Sequence, residues 1–199
     1  MIGKKIDGIE VSNAVKNILK NAVEKLKSEN VIPCLATILV GDNPASATYV
    51  KNKHKACEVV GIKTKDYKLS AEITQEQLND VIDKLNRDKE VHGILVQLPL
   101  PNQLDEFATV SSIFPIKDVD GLTPQNMGLL SMGKSILKPC TPSGIMEMFY
   151  YYKIGIEGKS VVIINRSNLI GKPLYNLLLQ NNATVRSEER RVGKECRSR

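Results

Sequence analysis

Apolar residues recur at three- and four-residue spacing through Ile9, Val15, Ile18, Leu19, Ala22, Val23 and Leu26. That period predicts an amphipathic helix over 9–26. The pattern then changes to a short continuous apolar run, CLATILV (34–40), closed by Gly41-Asp42-Asn43-Pro44; it reads as a buried strand and a loop. A second helix follows Pro44 and stops at Gly61, the residue type favoured for a left-handed helix end. IKTKDYKL (62–69) alternates partially, as a strand does. Thr74-Gln75-Glu76-Gln77 fits a capping box that opens a helix to about Asn86. HGILVQLPLP (92–101) is a buried strand interrupted by two prolines, 115–144 reads as a loop-rich passage, and a helix runs on to Tyr152. KSVVIINRS (159–167) predicts another buried strand, GKPLYNLLLQNN a helix with proline near its start, and ATV (183–185) the beginning of a further strand. Strands alternating with helices indicate an α/β fold with largely parallel sheets. A boundary near 145–155 separates an N-terminal α/β unit from the start of a second one.

Composition changes this picture little. The chain has 199 residues, 42% of them hydrophobic, enough for a packed core. No stretch approaches the roughly 20 apolar residues of a membrane span, and MIGKKIDGIE has no apolar signal segment. A cytoplasmic location and no membrane partner are therefore expected. Cys34, Cys57, Cys140 and Cys196 are widely spaced, which reads as free thiols. The net charge of +6 invites a nucleic-acid reading, but half of it lies in the last fourteen residues, RSEERRVGKECRSR. The body of the chain is only mildly basic, and no nucleic-acid partner is expected.

One lysine stands apart in SATYVKNKHK (46–55). At 100° per residue, Ser46, Tyr49, Val50, Ala56, Cys57 and Val60 lie within about 60° of Lys53, whereas Lys51 and Lys55 point roughly the other way. A lysine on that stripe snorkels outward, pairs with an acid, or enters a partly dry cavity where desolvation favours its neutral form. The last case suits proton transfer near neutral pH. Tyr49, one turn earlier, is either a core aromatic or a cavity wall. His54, about 100° off the stripe, reads as a surface histidine, and His92 has no metal-spaced partner, so no metal site is expected. Asp118 and Asp120 in PIKDVDG could be turn formers. Gln97 ends an apolar strand, at the place where open parallel sheets bind ligands, and its amide needs partners there. In NRSNLIGKP (165–173), Gly171 at a helix start could offer backbone N–H groups to a phosphate, and Arg166 could grip a 2′-phosphate. The same stretch also fits an ordinary strand-to-helix turn.

Five stretches together, SATYVKNKHKACEVVGI, GILVQLPLP, PIKDVDGLTPQNMG, KPCTPSG and RSNLIGKPL, resemble the bifunctional methylenetetrahydrofolate dehydrogenase/cyclohydrolase family in order and spacing. The resemblance covers residues 1–185. It implies an N-terminal three-layer α/β catalytic domain (1–145) that binds tetrahydrofolate derivatives, followed by an incomplete Rossmann-like NADP-binding domain (146–185). The implied reactions are oxidation of 5,10-methylenetetrahydrofolate by NADP and hydrolysis of the methenyl product to 10-formyltetrahydrofolate. In this match Lys53 would transfer the proton of hydrolysis, Tyr49 would pack on and polarise the folate, Gln97 would tune the lysine, and Asp120 would hold the pterin ring. Val96 and Leu98 would flank Gln97 against substrate. Asn165, Arg166, Ser167 and Gly171 would hold NADP, and the full-length protein would be a homodimer.

Two departures qualify the match. The family usually has Gly where this chain has Asn165, so its side chain is expected to crowd the cofactor and weaken binding. After ATV the family's remaining cofactor-domain strands and final helix are not found, and 186–199 reads as an unrelated disordered tail. Two further readings compete: a folate-binding fragment without turnover, and the YxxxK pair of short-chain dehydrogenases in Tyr49 and Lys53. The second lacks that family's N-terminal Gly-rich loop.

Overall fold

A computed structural model of the chain describes residue 3 and residues 5–188. Helix α1 (Gly8–Ser28) starts where the Asp7 carboxylate accepts hydrogen bonds from the amides of Ile9 and Glu10, satisfying donors that a helix start leaves free. Strand β1 (Cys34–Val40) leads into α2 (Pro44–Val60), which is capped by Asn43 and ends at Gly61 with φ of 82°. Then follow β2 (Lys63–Leu69), α3 (Gln75–Arg87) and β3 (Gly93–Val96). The capping box at α3 is present in full, with Thr74 and Gln77 each bonding the other's backbone amide.

The three strands form a parallel sheet in the order β2-β1-β3, so each strand-to-strand crossing carries a helix. Side chains of β1 alternate across it. Ala36, Ile38 and Val40 pack with Leu78, Ile82 and Leu85 of α3 and with Ile94 and Val96 of β3 in one buried core. Thr37 points to the other face, beneath α2. This gives three layers, with β1 in the middle and the carboxyl ends of β1 and β3 side by side.

The passage 115–144 is less loop-like than its composition predicts. It contains α5 (Pro124–Ser131) and the start of α6 (Cys140–Tyr151), and α4 (Glu106–Ser111) precedes it. Helix α6 runs across the boundary expected near 145 and into the second unit. There β4 (Ser160–Ile164), α7 (Gly171–Gln180) and β5 (Thr184–Glu188) form a two-stranded parallel sheet with its own core of Leu130, Met146, Ile163, Leu174, Leu177 and Leu178. Strand β5 continues through Arg186, Ser187 and Glu188, three residues past the expected start of the tail, because each pairs with β4. The rest of the tail reading, 189–199, lies outside the described residues. The two units are tied by the end of α6, where Tyr152 Oη accepts from the Asp7 amide at 2.9 Å and donates to Glu10 at 2.8 Å.

Candidate active site

Lys53 leaves α2 on the face that looks over the ends of β1 and β3, and its Nζ donates to Gln97 Oε1 at 3.4 Å. Gln97 is the first residue after β3. Its own amide bonds Ile38 O at the end of β1, and its side-chain nitrogen donates to Leu98 O at 2.7 Å, so the carboxamide oxygen is left turned to the lysine. Tyr49, 64% exposed, stands one turn before Lys53 and forms a wall. Together with Val96, Leu98, Asp120, Leu122, Cys140, Leu169 and Ile170 they line a cavity of about 420 Å³. All six residues expected to meet substrate border this one space.

Asp120 reaches it through a tight turn held by buried hydrogen bonds. Asp118, only 2% exposed, accepts hydrogen bonds from the Thr123 amide and Asn126 Nδ2, which makes it the turn former of the pair. Gly121 follows with φ of 64°, and a Cβ there would lie 2.8 Å from the carbonyl carbon of Lys138. Only glycine lets the Asp120 loop lie this close to the backbone that leads into α6. Cys140 at the start of α6 is thereby brought to Asp120, with Sγ 3.6 Å from Oδ1 and 3.5 Å from Val119 O. Burial pushes the Asp120 carboxyl above the usual range, opposed by the charge of Lys53 and the Cys140 thiol. Cys140 is exposed as a residue, but its thiol faces the cavity wall, and desolvation there, followed by the adjacent Asp120 charge, pushes it up to about 11. The sequence reading assigned no role to Cys140. Its only signal was its place in KPCTPSG, and its closeness to Asp120 depends on a contact between loops 20 residues apart.

His54 is not a surface histidine. Its Nε2 lies 2.7 Å from Asp66 Oδ1 and 3.0 Å from Thr37 Oγ1, and Thr37 in turn donates to Asp66 at 2.7 Å. Asp66 is the register partner of Thr37 in the β1–β2 pair, so both side chains lie on the sheet face beneath α2 and meet His54 there. His92 Nδ1 accepts from the Cys34 amide. Among the described residues no group of three His, Cys, Asp or Glu side chains could hold a metal ion, and no helix is long and apolar enough to cross a membrane.

The turn from β4 to α7 departs from expectation at its donors. Asn165 Oδ1 accepts from the amides of Ser167 at 2.8 Å and Gly171 at 3.1 Å. Ser167 Oγ accepts from the Ile170 amide, and Ser167 O from that of Lys172. The Gly171 N–H expected to face a phosphate is therefore engaged inside the turn. Gly171 is needed for another reason: a Cβ would lie 2.2 Å from Asn165 O. Arg166 and Ser167 are exposed at the tip, and Leu169 and Ile170 of the same turn border the Lys53 cavity.

The catalytic-domain model of tetrahydrofolate dehydrogenase/cyclohydrolase matches residues 6–120, and the NAD(P)-binding-domain model of the same family matches residues 139–197. The bifunctional protein FolD of Nitrosopumilus maritimus is 67% identical over 185 residues, covering 93% of this chain and 64% of the relative. That of Cenarchaeum symbiosum is 58% identical over 180 residues, covering 90% and 64%. The chain thus spans 64% of the length of these curated relatives. Among solved structures, the Campylobacter jejuni FolD superposes with a TM-score of 0.91 at 46% identity, covering 96% of this chain and 67% of that one. The Trypanosoma brucei enzyme, solved with NADP cofactor and inhibitor, gives 0.88 at 36% identity, covering 92% and 63%.

Proposed function

The chain belongs to the tetrahydrofolate dehydrogenase/cyclohydrolase family, and on that premise we propose that it oxidises 5,10-methylenetetrahydrofolate with NADP and hydrolyses the methenyl product to 10-formyltetrahydrofolate. The observation that carries the reading is the contact of Lys53 Nζ with Gln97 Oε1 on the wall of a cavity that also contains Tyr49 and Asp120. About 420 Å³ suits a ring system of small-ligand size.

The chemistry asks little covalent work of the protein. In hydrolysis, water adds to the methenyl carbon between N5 and N10, and Lys53 Nζ takes the proton that the water loses. The hydroxyl proton then passes to N5 as the carbon–N5 bond breaks and the C=O bond forms, which leaves the formyl group on N10. Gln97 holds Nζ at the cavity wall, so the proton carrier is in place before substrate arrives. Tyr49 offers its ring face to the pterin, and Val96 and Leu98 flank the strand end. Asp120 is a hydrogen-bond partner for the pterin's amide edge. Its burial favours a ligand that supplies donors in place of the lost water.

The residues of the 165–171 turn fit a dinucleotide mainly through side chains. Arg166 and Ser167 stand exposed at its tip, and Leu169 and Ile170 face the substrate cavity, which supports a cofactor reaching the same space. Arg166 would grip a 2′-phosphate and so favour NADP over NAD. When bound, the dinucleotide supplies the two-electron acceptor; this chain's part is to bring the two ligands face to face. Assembly as a homodimer belongs to the same proposal.

Lys53→Met tests the assignment through its two activities. Cyclohydrolase turnover should fall by at least about a hundredfold, the scale of one proton-transfer group. NADPH formation from methylenetetrahydrofolate should keep most of its rate. Equal loss of both would make Lys53 a substrate-positioning residue and overturn the proton-transfer role.

A further inference from the structure

In the turn between β4 and α7, we infer that Asn165 is an affinity-determining residue, a side chain that occupies the donors a dinucleotide's pyrophosphate would otherwise take. The inference rests on the cofactor reading above. A helix start preceded by a tight turn binds phosphate because its first amides have no partner within the helix. In this chain those amides have partners. Asn165 Oδ1 takes the N–H groups of both Ser167 and Gly171. Ser167 supplies its Oγ to the Ile170 amide and its carbonyl to that of Lys172. The next residue, Pro173, has no N–H to give. The carboxamide oxygen therefore stands where a phosphate oxygen would make the same two bonds.

The rest of the turn holds Asn165 in this position. Its carbonyl accepts from Ser187 Oγ of β5 at 2.9 Å, and Gly171 packs directly on it. The side chain is thus a fixed latch on the amides, and a dinucleotide either displaces it or binds through Arg166 and Ser167 alone. The pyrophosphate is common to NAD and NADP, whereas the 2′-phosphate belongs to NADP only. The latch consequently lowers affinity for both to the same degree and leaves the preference between them to Arg166. Crowding by a bulkier side chain, the effect expected from the sequence, makes a different prediction, since it would be worsened by any residue larger than glycine regardless of charge.

Calorimetric titration of the full chain with NADP⁺ and with NAD⁺ separates these cases for wild type, Asn165→Gly and Asn165→Asp. Asn165→Gly frees both amides and should bind each dinucleotide about tenfold more tightly, the order of one neutral hydrogen bond's net contribution, with the ratio between the two unchanged. Its Ser167 and Gly171 amides should exchange faster in the free protein and regain protection with NADP⁺. Asn165→Asp keeps both hydrogen bonds and its fold, and should bind both dinucleotides at least about tenfold more weakly, because a carboxylate now faces the pyrophosphate. Measurable wild-type binding with no gain in Asn165→Gly, a gain confined to NADP⁺, or wild-type affinity in Asn165→Asp would each overturn the latch and leave the cofactor reading standing. No dinucleotide binding by any of the three would overturn both.

Discussion

Cys140 shows at the residue scale how the site sets chemistry that spacing alone does not display. Its thiol sits against Asp120, and local desolvation at the cavity wall together with that charge raises it to about 11 from an ordinary 9.0, although the residue as a whole is exposed. At pH 8 this leaves roughly a hundredfold less thiolate than an unperturbed cysteine has, and thiolate is the reactive form. Alkylation of Cys140 by iodoacetamide, followed by peptide mass spectrometry, should accordingly be slow at neutral pH and keep rising with pH until about 11. Asp120→Asn removes the neighbouring charge, lowers the thiol's pKa and should speed alkylation at any fixed pH below that point; an unchanged rate would exclude the Asp120 contact. Lys53 and Gln97 were readable in the sequence because each stands out against an apolar background, one on a helix stripe and one at a strand end. Cys140 and the His54–Asp66–Thr37 group were not, since each depends on side chains from separate elements meeting in space. At Asn165 the substitution was readable but its consequence was not. A side chain that replaces glycine suggests crowding, whereas this one turns inward and takes two amides.

Among the elements, those with caps and a steady period were the legible ones. Helix α3 has a complete capping box and buries Leu78, Ile82 and Leu85 on one face. Thr74→Ala should cost about 1 kcal/mol in urea denaturation with little change in the slope of the transition; no measurable loss would mean that packing alone sets the start of α3. Helices α4 and α5 were not legible because they are six and eight residues long, too short to show a period. Helix α5 did carry a start signal, Thr123 followed by Pro124, but its position is decided by burial of Leu130 in the second core. The same contest explains α6. KPCTPSG has the composition of a loop, yet Met146 buries in the second core and draws those residues into a helix.

For the whole molecule, function depends on how the second unit meets the first. Leu169 and Ile170 come from the turn after β4, yet they border the cavity of Lys53 and Asp120. That juxtaposition could not be read from either unit's sequence separately, because it requires α6 to carry the chain across and Tyr152 to fasten it to Asp7 and Glu10. The second sheet also leaves apolar surface uncovered, with Val162 48% and Ile164 65% exposed on β4. Arg186 and Glu188 stand beside them in the register, so the exposed apolar surface is limited to these two side chains, which favour association weakly. A Val162→Thr, Ile164→Thr double variant should therefore shift sedimentation-velocity profiles of the chain toward the monomer; profiles identical to wild type would place association elsewhere. Calorimetric titration of a non-reactive tetrahydrofolate analogue into wild type and Asp120→Ala, with thermal unfolding followed in parallel, decides whether the Lys53 cavity takes folate. Wild type should bind it saturably, and Asp120→Ala at least about tenfold more weakly at unchanged thermal stability, the scale of a lost hydrogen bond to a charged group. No binding by wild type, or equal binding by both, would rule out Asp120 as a folate contact in this cavity.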